Sequence, residues 1–363
     1  MRILMLNHEF TITGASTVFL RMAKHFQAQG HDVTLFPANP EDGPIKERYA
    51  ALGIPVVTSA VPREYDVAIA NTICTARMVM QIAPAVRTIW FIHETEIGLN
   101  IILKTPEFAN AFHAASAVVY QTEFQAEVYR SFTYQLDPAK FHIIANGIDI
   151  LPETIDRTRV APKRAALRVV QVGTVEPRKR PGDLIRAVAM SGLDIECVIC
   201  GKFMVIDQEA QDIISKEPEK YIMNGETPEP ETLGWVASAD IFCLASGSES
   251  QPVSVFEAGL LARPLLLSNL PGYRDVFTHG RNCLMFPPGH VELLSLTLQM
   301  YAASAKLRAE MGRAAQATAR NYSNAKFLMK FDAVIAGVAG FRPAAAAPLI
   351  VNQGYRHAKE NLG

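Results

Sequence analysis

The chain has 363 residues, of which 49 % are hydrophobic and 20 % charged, with a formal net charge of −1. Such a length favours two domains, because single cores rarely keep growing past roughly 250–300 residues. The near-neutral balance excludes a global field that would gather nucleic acid or an anionic surface, so no nucleic-acid partner is expected.

The first half alternates short β-rich runs with helical patterns, the signature of parallel sheets covered by helices. Strands are expected near residues 2–6, 32–36, 55–58, 66–70, 88–92, 117–120 and 141–144. Between the first two, Val18, Met22 and Phe26 recur at helical spacing, and Gly30 sits where that helix should stop. A polar stretch over residues 149–164, with Pro152 and Pro162, reads as a linker.

A second alternation follows, with strands expected near residues 168–172, 195–200, 221–224, 240–244, 264–268 and 283–286. The fold class is therefore α/β, with two open-sheet domains in tandem that leave a cleft between them. Boundaries are set at residues 1–150 and 151–325, with a terminal helix at 326–340 and a tail at 341–363 that reads as a linker with a weakly helical end.

Ligands in open α/β sheets bind outside the carboxyl ends of the strands, and the unusual residues fall there. The first strand of the second half ends in Val172-Gly-Thr-Val-Glu-Pro-Arg-Lys-Arg-Pro181. Gly173 permits a tight turn, while Arg178, Lys179 and Arg180 bring three cations to a strand–helix junction. The positive end of the following helix adds to them, so the junction suits a phosphate.

Further along stands Ala245-Ser-Gly-Ser-Glu-Ser-Gln-Pro-Val-Ser-Val-Phe-Glu-Ala258. Pro252 suits the first turn of the next helix. Glu249 then lies in the loop and Glu257 about one and a half turns into the helix, leaning back toward its N-terminus. Two carboxylates so placed can accept hydrogen bonds from vicinal hydroxyls.

Glu249 and Glu257, with seven residues between them, resemble the E-x7-E motif of the retaining family-four glycosyltransferases of GT-B architecture. Val172-Gly-Thr-Val-Glu-Pro-Arg-Lys is similar to that family's phosphate site. Asn146-Gly-Ile-Asp149, Pro271-Gly-Tyr-Arg-Asp-Val276 and His279-Gly-Arg-Asn-Cys-Leu284 resemble further segments in the family's order. The resemblance implies an N-terminal acceptor-side domain, a C-terminal nucleotide-sugar donor domain and a last helix that returns to the first. It implies that Lys179 binds the donor diphosphate, Glu257 the ribose hydroxyls and Glu249 the transferred sugar. Amides around Gln251, Pro252 and Val253 would line the pocket, though Pro252 has no N–H to give. Thr174 stands where many members carry arginine, and Arg178 is taken to supply that charge.

In the first half, Gly14 follows the first strand and permits close backbone approach to a ligand. The family usually has two adjacent glycines here, where this chain has Gly14-Ala15. His93, at the end of the strand near 88–92, is implied to contact the sugar or acceptor. Asn71, at the end of the strand near 66–70, is a weaker candidate. Glu249, His93 and Lys179 are thus the candidate catalytic residues.

No two aspartates are two residues apart, so a D-x-D metal clamp is missing and fixed cations are expected to stabilise the leaving nucleotide. Cys197 and Cys200 form a C-x-x-C spacing, but in a strand they face opposite sides and cannot jointly grip a metal. No metal or cofactor is therefore expected. The five scattered cysteines do not form a secreted disulfide framework. Residues 1–7 are too short for a signal peptide, and no apolar run reaches the ~18 residues of a spanning helix. A cytoplasmic location follows, with peripheral contact at the inner face of the membrane left open.

The expected function is transfer of a sugar from a nucleotide-diphosphate sugar to a glycan, a lipid-linked glycan or a small molecule. A non-hydrolysing nucleotide-sugar epimerase and a catalytically inactive nucleotide-sugar-binding protein are the alternatives.

Overall fold

The computed structural model describes residues 1–339 and the two-residue strand at 349–350; the tail read at 341–363 otherwise lies outside the described residues. The chain divides into two compact units, one of Met1–Asn146 together with the chain from Ala325, the other of Gly147–Asn324.

The first unit is built on a six-stranded parallel sheet. Its strands are β1 (Arg2–Asn7), β2 (Asp32–Pro37), β4 (Val67–Asn71), β5 (Thr88–Phe91), β6 (Ala117–Tyr120) and β7 (Phe141–Ile143), in the order β2-β1-β4-β5-β6-β7. One strand expectation moves. The run at 55–58 gives only an isolated bridge between Val56 and Leu35. The strand forms instead as β3 (Ser59–Ala60), which pairs antiparallel with β14 (Leu349–Ile350). Pro55 lacks a backbone N–H to give to a ladder, which shortens any pairing there.

Alternation along the strands sorts side chains onto two faces. Ile3, Met5, Ile69 and Phe91 pack beneath the helix Gly14–Ala28, whose Val18, Met22 and Phe26 are fully covered. Leu4, Ala68, Trp90 and Tyr120 fill the other face. Thr13 caps the helix Gly14–Ala28, its side chain accepting from the Ser16 N–H at 3.2 Å, and Gly30 at φ +80° follows its end. The helix Asn324–Val338 also covers the first face. Phe327 and Phe331 rest against Phe91 with ring centroids 6.0 and 5.5 Å away.

The second unit repeats the plan. Its strands are β8 (Leu167–Val172), β9 (Ile195–Cys200), β10 (Tyr221–Gly225), β11 (Ile241–Leu244), β12 (Leu265–Ser268) and β13 (Leu284–Phe286), in the order β10-β9-β8-β11-β12-β13, with every pairing parallel. Cys197 and Cys200 belong to opposite faces of this sheet, as their strand spacing requires. Among the described residues no helix is long and apolar enough to cross a membrane.

Candidate active site

The second sheet reverses its strand order between β8 and β11, the kind of switch point where open α/β sheets take ligands. Gly173 follows β8 with φ at +147°, a conformation that glycine alone adopts without strain. Lys179 lies across it: a Cβ on Gly173 would stand 3.4 Å from Lys179 Cε. Gly201 follows β9 at φ +150° and backs onto the same turn, where a Cβ would come within 2.1 Å of the Gly173 carbonyl oxygen. Two glycines thus bring two strand ends together under one lysine.

The loop after β11 supplies the partner. Lys179 Nζ donates to Glu249 Oε1 at 2.5 Å, and Ser246 Oγ donates to the same oxygen at 2.6 Å. Arg178 Nη1 stands 3.5 Å from that oxygen and donates to the Ser248 carbonyl at 3.0 Å. The Gly247 N–H donates to the Arg178 carbonyl at 2.7 Å, which ties the two loops together. The Lys179 and Glu249 side chains are 15 % and 7 % exposed, so water screens their attraction only weakly.

The three cations read from sequence do not act alike. Arg180 Nε donates to Asp183 Oδ2 at 2.5 Å, and its left-handed backbone caps the helix Pro181–Ser191. Its charge is spent on its own helix. Arg178 and Lys179 are the two that meet Glu249.

Pro252 precedes the helix Val253–Leu260 as its cap rather than occupying its first turn. Glu257 consequently falls in the second turn. Gln251, Pro252 and Glu257 are buried, and Val253 is half-buried. Behind the loop, Tyr273 OH donates to the Ser268 carbonyl at 2.5 Å, and Ser268 Oγ donates to the Ser246 carbonyl at 2.7 Å. This chain of hydroxyls holds the backbone from which Glu249 projects.

The first sheet reverses between β1 and β4. There Asn71 Nδ2 donates to Asn7 Oδ1 at 3.1 Å, both residues fully buried. Gly14 opens the helix that follows β1 and is exposed. His93 follows β5, and Gln121 Nε2 donates to its Nδ1 at 2.7 Å. The ring proton therefore sits on Nε2, which is buried and has no hydrogen-bond partner. Burial, reinforced by His8, lowers the His93 pKa to about 3. The ring is a neutral donor across the physiological range.

Sequence reasoning missed several of these groups. Glu94 Oε2 accepts from the backbone N–H groups of Ile73 and His93, each at 3.1 Å, while burial raises its pKa against the pull of His8 and of those N–H donors. Gln121 gives no local signal, because it matters only through His93, 28 residues earlier in the chain, and Ser246, three residues before Glu249, looks like any loop serine. Thr72 carries φ +72°, and its buried Oγ1 lacks a partner.

Comparison with known proteins finds glycosyltransferases over both units. Residues 154–318 match the family described as glycosyl transferases group 1, and residues 12–150 match glycosyltransferase family 4. Between them, two glycosyltransferase family models span most of the chain. The D-inositol 3-phosphate glycosyltransferase of Pseudarthrobacter chlorophenolicus is 23 % identical to it over 201 residues, covering 48 % of this chain and 46 % of the relative. That of Jonesia denitrificans is 22 % identical over 229 residues, covering 58 % and 54 %. The chain spans about half the length of these curated relatives. Among solved structures, Anabaena HepE in complex with UDP-glucose is similar with a TM-score of 0.76 at 18 % identity, covering 93 % of this chain and 100 % of that one. A glycosyltransferase from Rickettsia africae is similar with a TM-score of 0.72 at 13 % identity, covering 93 % and 99 %. These likenesses, with the two parallel six-stranded sheets, give the chain the GT-B fold.

Proposed function

We propose that this glycosyltransferase moves a hexosyl group from a nucleoside diphosphate sugar to a hydroxyl of a glycan, a lipid-linked glycan or a small molecule, with retention and without a metal. The reading is carried by one observation: Lys179 Nζ and Glu249 Oε1 meet at 2.5 Å, from loops that follow adjacent strands at the sheet's switch point. The HepE complexes with UDP and with UDP-glucose support a uridine donor as the first to test.

In this arrangement the Lys179–Glu249 pair holds the place of the donor. A diphosphate offers Lys179 and Arg178 a denser anion than one carboxylate, so it displaces Glu249 from the lysine. The released carboxylate then accepts hydroxyls of the transferred sugar, and Glu257 accepts those of the ribose. As the anomeric bond breaks, charge grows on the leaving phosphate, where two fixed cations already stand; such preorganisation supplies several kcal/mol of barrier reduction. The family resemblance also assigns His93, a neutral ring, to contact with the sugar or acceptor. Retention is inferred from the family resemblance. The absence of a D-x-D pair supports cations in place of a clamped metal.

The test begins with thermal shifts under UDP, GDP and their sugars, since a ligand binding only the native state raises apparent stability. Turnover of the stabilising donor is then measured for Lys179→Ala and Glu257→Ala. Folded variants with rates at least 100-fold below wild type are expected; wild-type rates in both would overturn the proposal.

A further inference from the structure

One carboxylate joins the loops that follow β4 and β5 in the first unit. Glu94 Oε2 accepts the N–H of His93, its own neighbour, and that of Ile73, 21 residues earlier, each at 3.1 Å. A single oxygen thus fixes the backbone at the carboxyl ends of two adjacent strands. Among the described residues Glu94 has no lysine or arginine as an ion-pair partner, and burial raises its pKa. A carboxylate held on those terms is costly, and a loop that had only to close would do so through water.

The backbone it holds is strained on one side and crowded on the other. Thr72, just before Ile73, has φ +72°, which a β-branched residue keeps only where its surroundings over-determine it. Its N–H donates to the Phe91 carbonyl at 2.8 Å, and its carbonyl accepts from Trp90 Nε1 at 2.8 Å. Gly98, in the helix Glu96–Lys104, makes room for the carboxylate's stem. A Cβ there would lie 2.9 Å from Glu94 Cβ and 2.1 Å from the Tyr129 hydroxyl.

The carbonyls of the same loop are held from a third direction. Gln125 Nε2 donates to the Ile92 carbonyl at 3.1 Å and to the Glu94 carbonyl at 2.8 Å. The Tyr129 hydroxyl donates to the Glu94 carbonyl at 2.9 Å and the Thr95 carbonyl at 3.1 Å. Gln125 and Tyr129 are fully buried. Residues 92–95 belong to no strand or helix, yet side chains fix three of their carbonyls and one N–H. Loops that merely connect elements leave such groups to water.

We propose that Glu94 is a positioning residue for sugar transfer, one that fixes the backbone of His93 and of the turn at Thr72–Ile73 as a single rigid edge. The proposal rests on the transfer reading, in which His93 contacts the sugar or acceptor; Glu94 acts through its neighbours. Displacing such an edge by about 1 Å costs on the order of 100-fold in rate. The loss falls on kcat more than on KM where the contact strengthens in the transition state.

Two measurements on the full chain test this. Amide hydrogen exchange at Ile73 and His93 should be about 10-fold faster or more in Glu94→Ala and close to wild type in Glu94→Gln, whose amide oxygen still accepts both N–H groups. Turnover of the nucleotide sugar should show kcat about 10- to 100-fold lower in Glu94→Ala, with KM within about threefold of wild type. Glu94→Gln should restore kcat to within about threefold. A Glu94→Ala protein with a lowered melting temperature but wild-type kcat well below it would make the residue merely structural and overturn the proposal. Wild-type exchange beside lost turnover in Glu94→Gln would overturn it too, because the charge itself would then meet the substrate. Should Glu94→Ala not fold, Tyr129→Phe decides: it keeps the ring and removes the donor to the Glu94 and Thr95 carbonyls. There kcat should fall about 3- to 10-fold, and an unchanged kcat counts against the proposal. A wild-type protein that turns over no UDP- or GDP-sugar sinks the transfer reading and this proposal with it. Turnover that Glu94→Ala leaves unchanged sinks this proposal alone.

Discussion

A Cβ placed on Gly272 would lie 2.1 Å from the carbonyl oxygen of Glu249 and 2.7 Å from that of Ser250. The segment after β12 thus presses a bare backbone against the loop that carries Glu249. Gly272 does not need glycine for its dihedral angles, since its φ falls outside the left-handed range; it needs glycine for room.

Gly272→Ala should therefore fold and still mislocate Glu249. Pushing a catalytic group by about 1 Å is enough to cost on the order of 100-fold in rate. We expect donor turnover to fall by about 10- to 100-fold and the melting temperature to fall with it, since the loop backbone itself has to give way, at about 1–3 kcal/mol. Steady-state kinetics beside calorimetry checks this, and wild-type turnover would show the loop to be indifferent to its backing.

Glu249→Gln keeps the shape of the side chain and removes the charge that holds Lys179. The lysine then stands with a weaker partner in a poorly hydrated place, at a cost of about 2–4 kcal/mol. A freed Lys179 should bind UDP about three- to tenfold more tightly than in wild type, while turnover of the UDP-sugar falls. Titration calorimetry with UDP separates the two effects. Weaker UDP binding in the variant would contradict a pair that the diphosphate has to break.

His93 titrates at about 3 in the folded chain against 6.5 when unconstrained. Between those values the unfolded chain binds a proton that the folded chain refuses. The neutral ring's contribution is complete above about pH 6.5 and is lost as pH falls toward 3, with a slope of up to ~1.4 kcal/mol per pH unit. His93→Asn should flatten the stability profile in that window. Urea unfolding between about pH 7 and pH 4 measures it, and parallel profiles would place the ring in contact with solvent.

Far from the candidate site, Arg168 and Glu196 are 2 % and 1 % exposed and form an ion pair. Arg168 also donates to Ser238 Oγ and to the Ala161 carbonyl, each at 2.8 Å, and stands 5.1 Å from the Trp235 ring. Glu196→Ala should cost about 3–5 kcal/mol, because it strands a buried cation, and Arg168→Met in the same chain should recover much of that loss. Chemical denaturation of the single and double variants decides it.

Much of the architecture could be read in the amino acids because parallel strands buried on both faces leave short, dense apolar runs. Ile195–Cys200 and Leu265–Ser268 are such runs, and both are strands. Pairing choices were less visible. Ser59–Ala60 takes its partner from residues 349–350, which no local pattern announces. The same division holds at the candidate site. Glu249 and Lys179 stand out by type and spacing, but Arg180 turns away because Asp183 lies one helical turn ahead of it. Gln121 is an ordinary polar residue until the fold brings His93 beside it. Thr72 looks like any threonine, and only its φ of +72° marks it.

The helix Asn324–Val338 lays Phe327, Phe331, Val334 and Ile335 into the core of a unit whose six-stranded sheet ended at Ile143. A ribosome therefore makes that first sheet long before it makes the piece that seals it. During the interval Phe91 and its neighbours lack their cover, while the intervening 178-residue unit, Gly147–Asn324, is synthesised. That unit has what it needs to finish first: its two ends are already joined, with the Ile148 N–H donating to the Tyr322 carbonyl at 2.8 Å. The part of the chain that is translated earliest is thus the part that waits longest, and premature termination before Phe327 would release a nascent sheet with one greasy side open to chaperones.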